Sequence, residues 1–199
     1  DTANATTYSF AAVPIGTDSS ERNVIVTLHA NGVNSGNTIS SGTIGGSAAT
    51  VIGSIASGVS TSGIMALLVT SGITATIAVT FSGGKGRCGI AVFEMTGASG
   101  ATAYDSAGAS AADPVSTTAV DSPANGGYVA VAGVTESTTY TWTGLANEAH
   151  DTDFIAETAT FSSAYENFAA AQTGPTIQAD NAANSTVQAL FVASWGPGA

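Results

Sequence analysis

Residues 73–95 constrain the fold more than any other stretch. The run Ile73-Thr74-Ala75-Thr76-Ile77-Ala78-Val79-Thr80-Phe81 is apolar at every odd position, and three of its four even positions are threonine. A period of two marks a strand with one dry face and one hydroxyl face. Ile77, Val79 and Phe81 are therefore expected in the core, with Thr74, Thr76 and Thr80 facing solvent or an interface. Residues 89–95 carry Ile90, Val92 and Phe93 and are apolar on both faces, as an interior strand would be. The link Ser82-Gly83-Gly84-Lys85-Gly86-Arg87 reads as a hairpin loop.

The rest of the chain repeats this alternation of strand and turn. Residues 6–13, 23–30, 38–44, 48–55 and 64–70 read as strands, punctuated by Pro14, Asn31-Gly32 and Gly45-Gly46. Residues 97–112 form a low-complexity run of small residues, a weak strand inside a long loop. Further strands are expected at 115–120, 127–134, 138–143 and 186–195, and a short helix near 163–172, where alanines gather around Tyr165. No internal repeat of fixed period is visible, and nothing reads as a βαβ unit. The spacing of turn signals predicts an all-β chain, an antiparallel, jelly-roll-like β-sandwich of two packed sheets forming one domain over residues 1–199.

Composition narrows the function classes. Only 9% of residues are charged, with Ala, Gly, Ser and Thr filling the gap, which suits a surface that packs beside other copies. Three basic residues, Arg22, Lys85 and Arg87, oppose 14 acidic ones, for a net charge of −11. Phosphate binding needs several Lys or Arg side chains, so no nucleic-acid partner is expected. An anionic membrane is disfavoured for the same reason. No apolar run is long enough for a transmembrane helix, and no signal peptide is recognisable. The chain opens at Asp1 without methionine; a leader already removed is one expectation, and a numbering that starts at the first ordered residue is the other.

Few residues could carry chemistry. Cys88 is the single cysteine, which excludes an intrachain disulfide and a cysteine-based zinc site, and it reads as a small buried apolar residue. The pattern G-x-S-x-G does not occur, and the only histidines are His29, in an alternating strand, and His150. Glu148, His150, Asp151 and Asp153 crowd a segment that reads as a loop, where oxygen and imidazole ligands could hold a cation. A solvated acidic loop is the plainer reading, because the EF-hand spacing is absent. Glu94 is unusual as an acid inside an apolar strand; Arg87, Arg22 or exposure would explain it. Tyr140 and Trp142 share one face of a strand and Tyr104 lies in a loop, so these rings are candidates for stacking on a sugar, with a core role the alternative for the Trp. No catalytic residue and no cofactor are expected.

Pro14-Ile15-Gly16-Thr17, Ile44-Gly45-Gly46-Ser47-Ala48-Ala49-Thr50, Thr80-Phe81-Ser82-Gly83, Thr141-Trp142-Thr143-Gly144 and Ala193-Ser194-Trp195-Gly196-Pro197 follow one another at turns and strand ends. In this order they resemble a β-sandwich module of tailed-phage virion proteins that also occurs in secreted bacterial proteins. The resemblance implies a non-enzymatic structural protein on the virion surface, a head decoration, spike or fibre-associated subunit. Its partners would be copies of itself and other virion structural proteins, with a host surface glycan as a further possibility. The alternative expectation is a carbohydrate-binding or adhesin module of a bacterial surface or secreted protein.

Overall fold

The computed structural model describes residues 3–98, 100–136, 138–153 and 159–198, the side chains of 148–153 excepted. The strands follow in chain order as β1 (Ala5–Pro14), β2 (Arg22–Asn31), β3 (Ile39–Ile44), β4 (Ser47–Ala48), β5 (Thr50–Ser57), β6 (Ser60–Leu68), β7 (Thr74–Lys85), β8 (Arg87–Thr96), β9 (Asp105–Ala111), β10 (Val115–Thr117), β11 (Gly126–Val134), β12 (Tyr140–Thr143), β13 (Asn147–Asp153), β14 (Thr160–Phe168), β15 (Ile177–Asn181) and β16 (Gln188–Trp195). Every ladder between them is antiparallel, and the described residues contain no helix.

The all-β, antiparallel sandwich expectation holds, but the layers are four rather than two. An outer sheet of order β1-β7-β3-β4 lies on an inner sheet β5-β6-β2-β8, and an inner sheet β13-β14-β11-β16-β9 lies under an outer sheet β10-β15-β12. One core, with Tyr8, Val26, Leu28, Ile77, Val79 and Phe81, fills the first sandwich. A second, with Tyr128, Ala130, Tyr140, Ile177 and Leu190, fills the other. A third joins the two inner sheets through Ile25, Ile64, Val129, Val131, Phe161, Phe191 and Trp195. Both inner sheets are thus covered on both faces, and β2, β11 and β16 are buried at every position. Consecutive strands mostly alternate between the two sheets of a sandwich, as in a jelly roll, but the strand orders alone do not make it one.

The two sandwiches are laid down in the same way. β1, β2, β3, β5, β6, β7 and β8 occupy the places that β10, β11, β12, β13, β14, β15 and β16 occupy in the other half. The outer orders β1-β7-β3 and β10-β15-β12 correspond, as do the inner orders β5-β6-β2-β8 and β13-β14-β11-β16. The match extends to faces. Val24, Val26, Leu28 and Ala30 of β2 point into their own sandwich, as Tyr128, Ala130, Ala132 and Val134 of β11 do, while Ile25 and Val129 both point into the seam. An internal repeat is therefore present in topology, although residue identities do not reveal it. On this correspondence His29 matches Gly133, and the two meet: a Cβ at position 133 would fall 2.1 Å from His29 Nδ1. The bare glycine makes room for the imidazole of its own counterpart.

Several local expectations are corrected. The 82–87 link is not a hairpin: β7 and β8 belong to different sheets, and the chain crosses between layers with Gly86 N–H donating to Asn31 O at 2.8 Å. The helix near 163–172 is absent, because the segment is held by ladders on both sides as β14, between β11 and β13. Tertiary pairing overrides the helical preference of its alanines. The acidic segment 148–153 is not a loop but part of β13. The strand expected within the 97–112 run is present as β9, seven residues long and at a sheet edge.

The faces of β7 are as the alternation requires. Ile77 and Val79 are inaccessible and Phe81 is buried, while Thr74 and Thr76 are exposed and Thr80 Oγ1 lies 2.9 Å from Thr7 Oγ1. Ile77→Ala is expected to cost about 2–5 kcal/mol, and Thr76→Ala less than about 0.5 kcal/mol. Urea midpoints measure both, and the reverse order would mean that the strand runs with its faces exchanged. At the seam, Gly133→Ala is expected to cost about 1–3 kcal/mol by overpacking and clearly less in a His29→Ala background. A double-mutant cycle without coupling would show that the imidazole does not rest on residue 133.

Candidate functional site

All three basic side chains are withdrawn from solvent. Arg22 is fully buried where the 15–21 and 69–73 connections converge. Its guanidinium donates from Nε to Val69 O at 2.9 Å, from Nη1 to Thr17 O at 2.7 Å, and from Nη2 to Ser71 O at 3.1 Å and Gly72 O at 2.8 Å. A planar fork with several donors suits this cluster of carbonyls better than an ammonium would. Lys85 is buried at the other end of the first sandwich, where Nζ donates to Val59 O at 3.1 Å. Burial lowers its pKa to about 8. Arg87 is 3% exposed. The outer surface therefore presents carboxylates and neutral groups, with no lysine or arginine.

The remaining singled-out residues are placed as follows. Cys88 is inaccessible, and burial pushes its thiol up to about 12, so it is a core residue and not a nucleophile. Glu94 lies on the exposed rim of β8, and neither arginine is its partner. Thr17 donates to it from N (3.2 Å) and Oγ1 (3.1 Å), which fastens the turn after β1. Tyr140 is 3% exposed and points into the second core, so it has no face to offer a sugar. Trp142 packs half-buried on the same core and donates Nε1–H to Ser162 Oγ at 2.9 Å. Tyr104 alone of these three rings is open, at 61% exposure. Glu148, His150, Asp151 and Asp153 lie on β13, an edge strand; their side chains are outside the described residues. Among the described residues no group of three His, Cys, Asp or Glu side chains could hold a metal ion, and no helix is long and apolar enough to cross a membrane.

One groove was not anticipated. It runs along residues 92–96 of β8 and is walled on the far side by Tyr128, Val129, Tyr165 and Asn167, with a volume of about 430 Å³. Phe93 meets Tyr165 edge to face at 5.8 Å between ring centres. Its two walls come from different halves of the chain, so no local pattern in the sequence could have found it. The sequence pattern puts Phe93 in an interior strand and Tyr165 in a helix, whereas both rings line the groove.

The seam beside this groove is polar at its centre. His29 Nδ1 lies 3.0 Å from Ser62 Oγ, which donates to Ala189 O at 2.8 Å, and Thr27 Oγ1 lies 2.9 Å from Ser163 Oγ. The imidazole stacks on Phe161 with ring centres 6.4 Å apart. Burial, with Lys85 adding a smaller repulsion, lowers its pKa from 6.5 to about 3.

No protein-family model, curated protein or solved structure matches the chain. The phage-module resemblance accordingly rests on the turn and strand-end motifs alone.

Because the folded-state pKa of His29, about 3, lies below the ordinary 6.5, the unfolded chain takes up a proton below pH 6.5 that the folded chain refuses. The stability held by the neutral ring is complete above that pH. It is lost at roughly 1.4 kcal/mol per pH unit as pH falls toward the folded value. Thermal melts between about pH 6 and pH 4 should show a steeper loss for the wild type than for His29→Gln; equal slopes would remove His29 from the seam's acid response.

Proposed function

We propose that this chain is a non-enzymatic structural subunit displayed on the surface of a tailed-phage virion, acting by packing against copies of itself and other virion proteins. The observation that carries this reading is the state of its sheet edges. Soluble monomers commonly guard edge strands with lysine or inward-pointing charge. Here the only lysine is buried at the end of β7, and the edge strands β5, β10 and β12 carry no charge at all. The outer face of the first sandwich adds an uncharged surface of hydroxyls and small side chains, with Thr7, Ser9, Thr74, Thr76 and Ser41. Register breaks, which blunt an edge, interrupt β1 between Phe10 and Val13, β5 between Val51 and Gly53, and β13 between Glu148 and His150.

A second reading, a glycan-binding surface module, draws on the groove that brings Phe93 and Tyr165 beside Glu94 and Asn167. Binding of neutral oligosaccharides on an array, lost in Tyr165→Ala, would favour it over the first.

For the leading reading, light scattering across micromolar concentrations is expected to show a closed homo-oligomer with a buried interface above roughly 1,000 Å². Mass spectrometry of purified particles should find the chain. A strict monomer that is absent from particles would end the virion reading.

A further inference from the structure

The two halves differ in one structural addition that bears on binding. In the second half a fifth strand, β9, completes the inner sheet by pairing with β16, from Asp105↔Ser194 to Ala111↔Gln188. In the first half the counterpart of β16 is β8, and among the described residues no strand pairs with its outer edge. The groove lies along this edge, at residues 92–96. β9 lies over β5 of the opposite half, whose counterpart is β13; the groove wall comes from the two strands that follow β13 across its sheet, with Tyr165 and Asn167 from β14 and Tyr128 and Val129 from β11. The cavity therefore borders the edge to which the repeat adds no strand.

We propose that the outer edge of β8 is a strand-acceptor site that takes one extended segment of another polypeptide, antiparallel, in the place β9 holds beside β16. Backbone N–H and C=O groups along an open edge supply the pairing, and the groove takes the alternate side chains. The required chemistry can be read from β9, whose residues are Asp, Ser, Ala, Gly, Ala, Ser and Ala. Small side chains let it lie in its sheet between β5 on one face and β10 on the other. One position must differ. Asp105 of β9 faces Ser194, and the counterpart of Ser194 is Glu94. A carboxylate directly opposite Glu94 is repelled, and a basic side chain is favoured. This chain has no exposed lysine or arginine to offer, since Arg22, Lys85 and Arg87 are all buried. The fitting occupant is thus a small-residue strand with a basic residue opposite Glu94, from a different protein rather than from a second copy. The inference deepens the assembly reading by naming an acceptor edge, and it does not depend on the particle being a phage.

The test is a titration of isotope-labelled protein followed by amide NMR. The probe is a synthetic peptide of residues 104–112 carrying Asp105→Lys. Saturable shifts and slowed amide exchange along residues 92–96 are expected, with affinity up to about fivefold above that of the unaltered peptide. Methylating alternate peptide nitrogens should abolish binding, because the side chains stay and the donors go. No saturable shift at millimolar peptide would overturn the proposal, and so would undiminished binding of the methylated peptide. Protection of the β8 edge that grows with protein concentration and resists the peptide would instead assign it to a second copy. Displacement of the peptide by a neutral oligosaccharide acting on Phe93 and Tyr165 would assign it to a glycan. Failure here leaves particle membership untouched, so the two readings fail separately.

Discussion

Covering both faces of both inner sheets is the constraint on which the rest of the structure depends. A strand in such a sheet has no wet side: β2, β11 and β16 are buried at every position, and a polar side chain on them can find a partner only inside the protein. Most polar groups of the seam are paired with each other or with backbone: Thr27 with Ser163, His29 with Ser62, and Ser62 with the carbonyl of Ala189, while His29 Nε2 and both amide atoms of Asn23 are buried without a hydrogen-bond partner among the described residues. Left unpaired, each such group would cost about 1–3 kcal/mol. The pairings are specific to one registration of the two sheets, because a shift by one residue would present Val26 or Leu28 where Thr27 now meets Ser163.

The repeat explains why this seam is asymmetric. When two like sheets stack, equivalent positions can confront one another, and bulky residues cannot both occupy one place. His29 against Gly133 is the resolved form of that conflict: one half keeps the ring and the other gives up its side chain. Phe161 stacks on the ring from β14, while the matching position on β6 is Ser62, small enough to hydrogen-bond it. Where the halves touch, equivalent positions carry unlike residues, because two bulky side chains cannot share one place.

This is also why the sequence disclosed strands but not layers. Alternation in 73–81 is legible because β7 belongs to an outer sheet with one wet face, and Ile77 and Thr76 fall as the pattern requires. Doubly buried strands carry no alternation to read; 23–30 and 127–134 can be recognised as strands, yet nothing local says whether the second face meets another sheet of the same sandwich or a second sandwich. The 163–172 segment misleads for a related reason. Alanine and serine suit both a helix and a crowded inner strand, and only pairing with β11 and β13 decides between them. The groove at Phe93 and Tyr165 is a product of stacking and has no local signature, whereas the inward fate of Cys88 was legible from its apolar neighbours.

Charge completes the picture of how such a body can associate. With Arg22, Lys85 and Arg87 spent on backbone carbonyls and buried ends, the formal charge of −11 is carried by a surface with no compensating lysine or arginine. Two copies approaching through carboxylate-bearing loops repel each other within a Debye length of about 8 Å at physiological salt. Approach through the hydroxyl face of β1, β7 and β3 meets no such barrier, and edge pairing brings backbone dipoles rather than net charges together. Glu94 stands on the open edge of β8 at the position that Ser194, the partner of Asp105, holds in the other half, so like-charge repulsion also sorts the strands that can be added there. The burial of every lysine and arginine therefore does more than brace the ends of the sandwiches: any association between copies would be confined to neutral faces and edges, and a basic contact would have to come from a different partner.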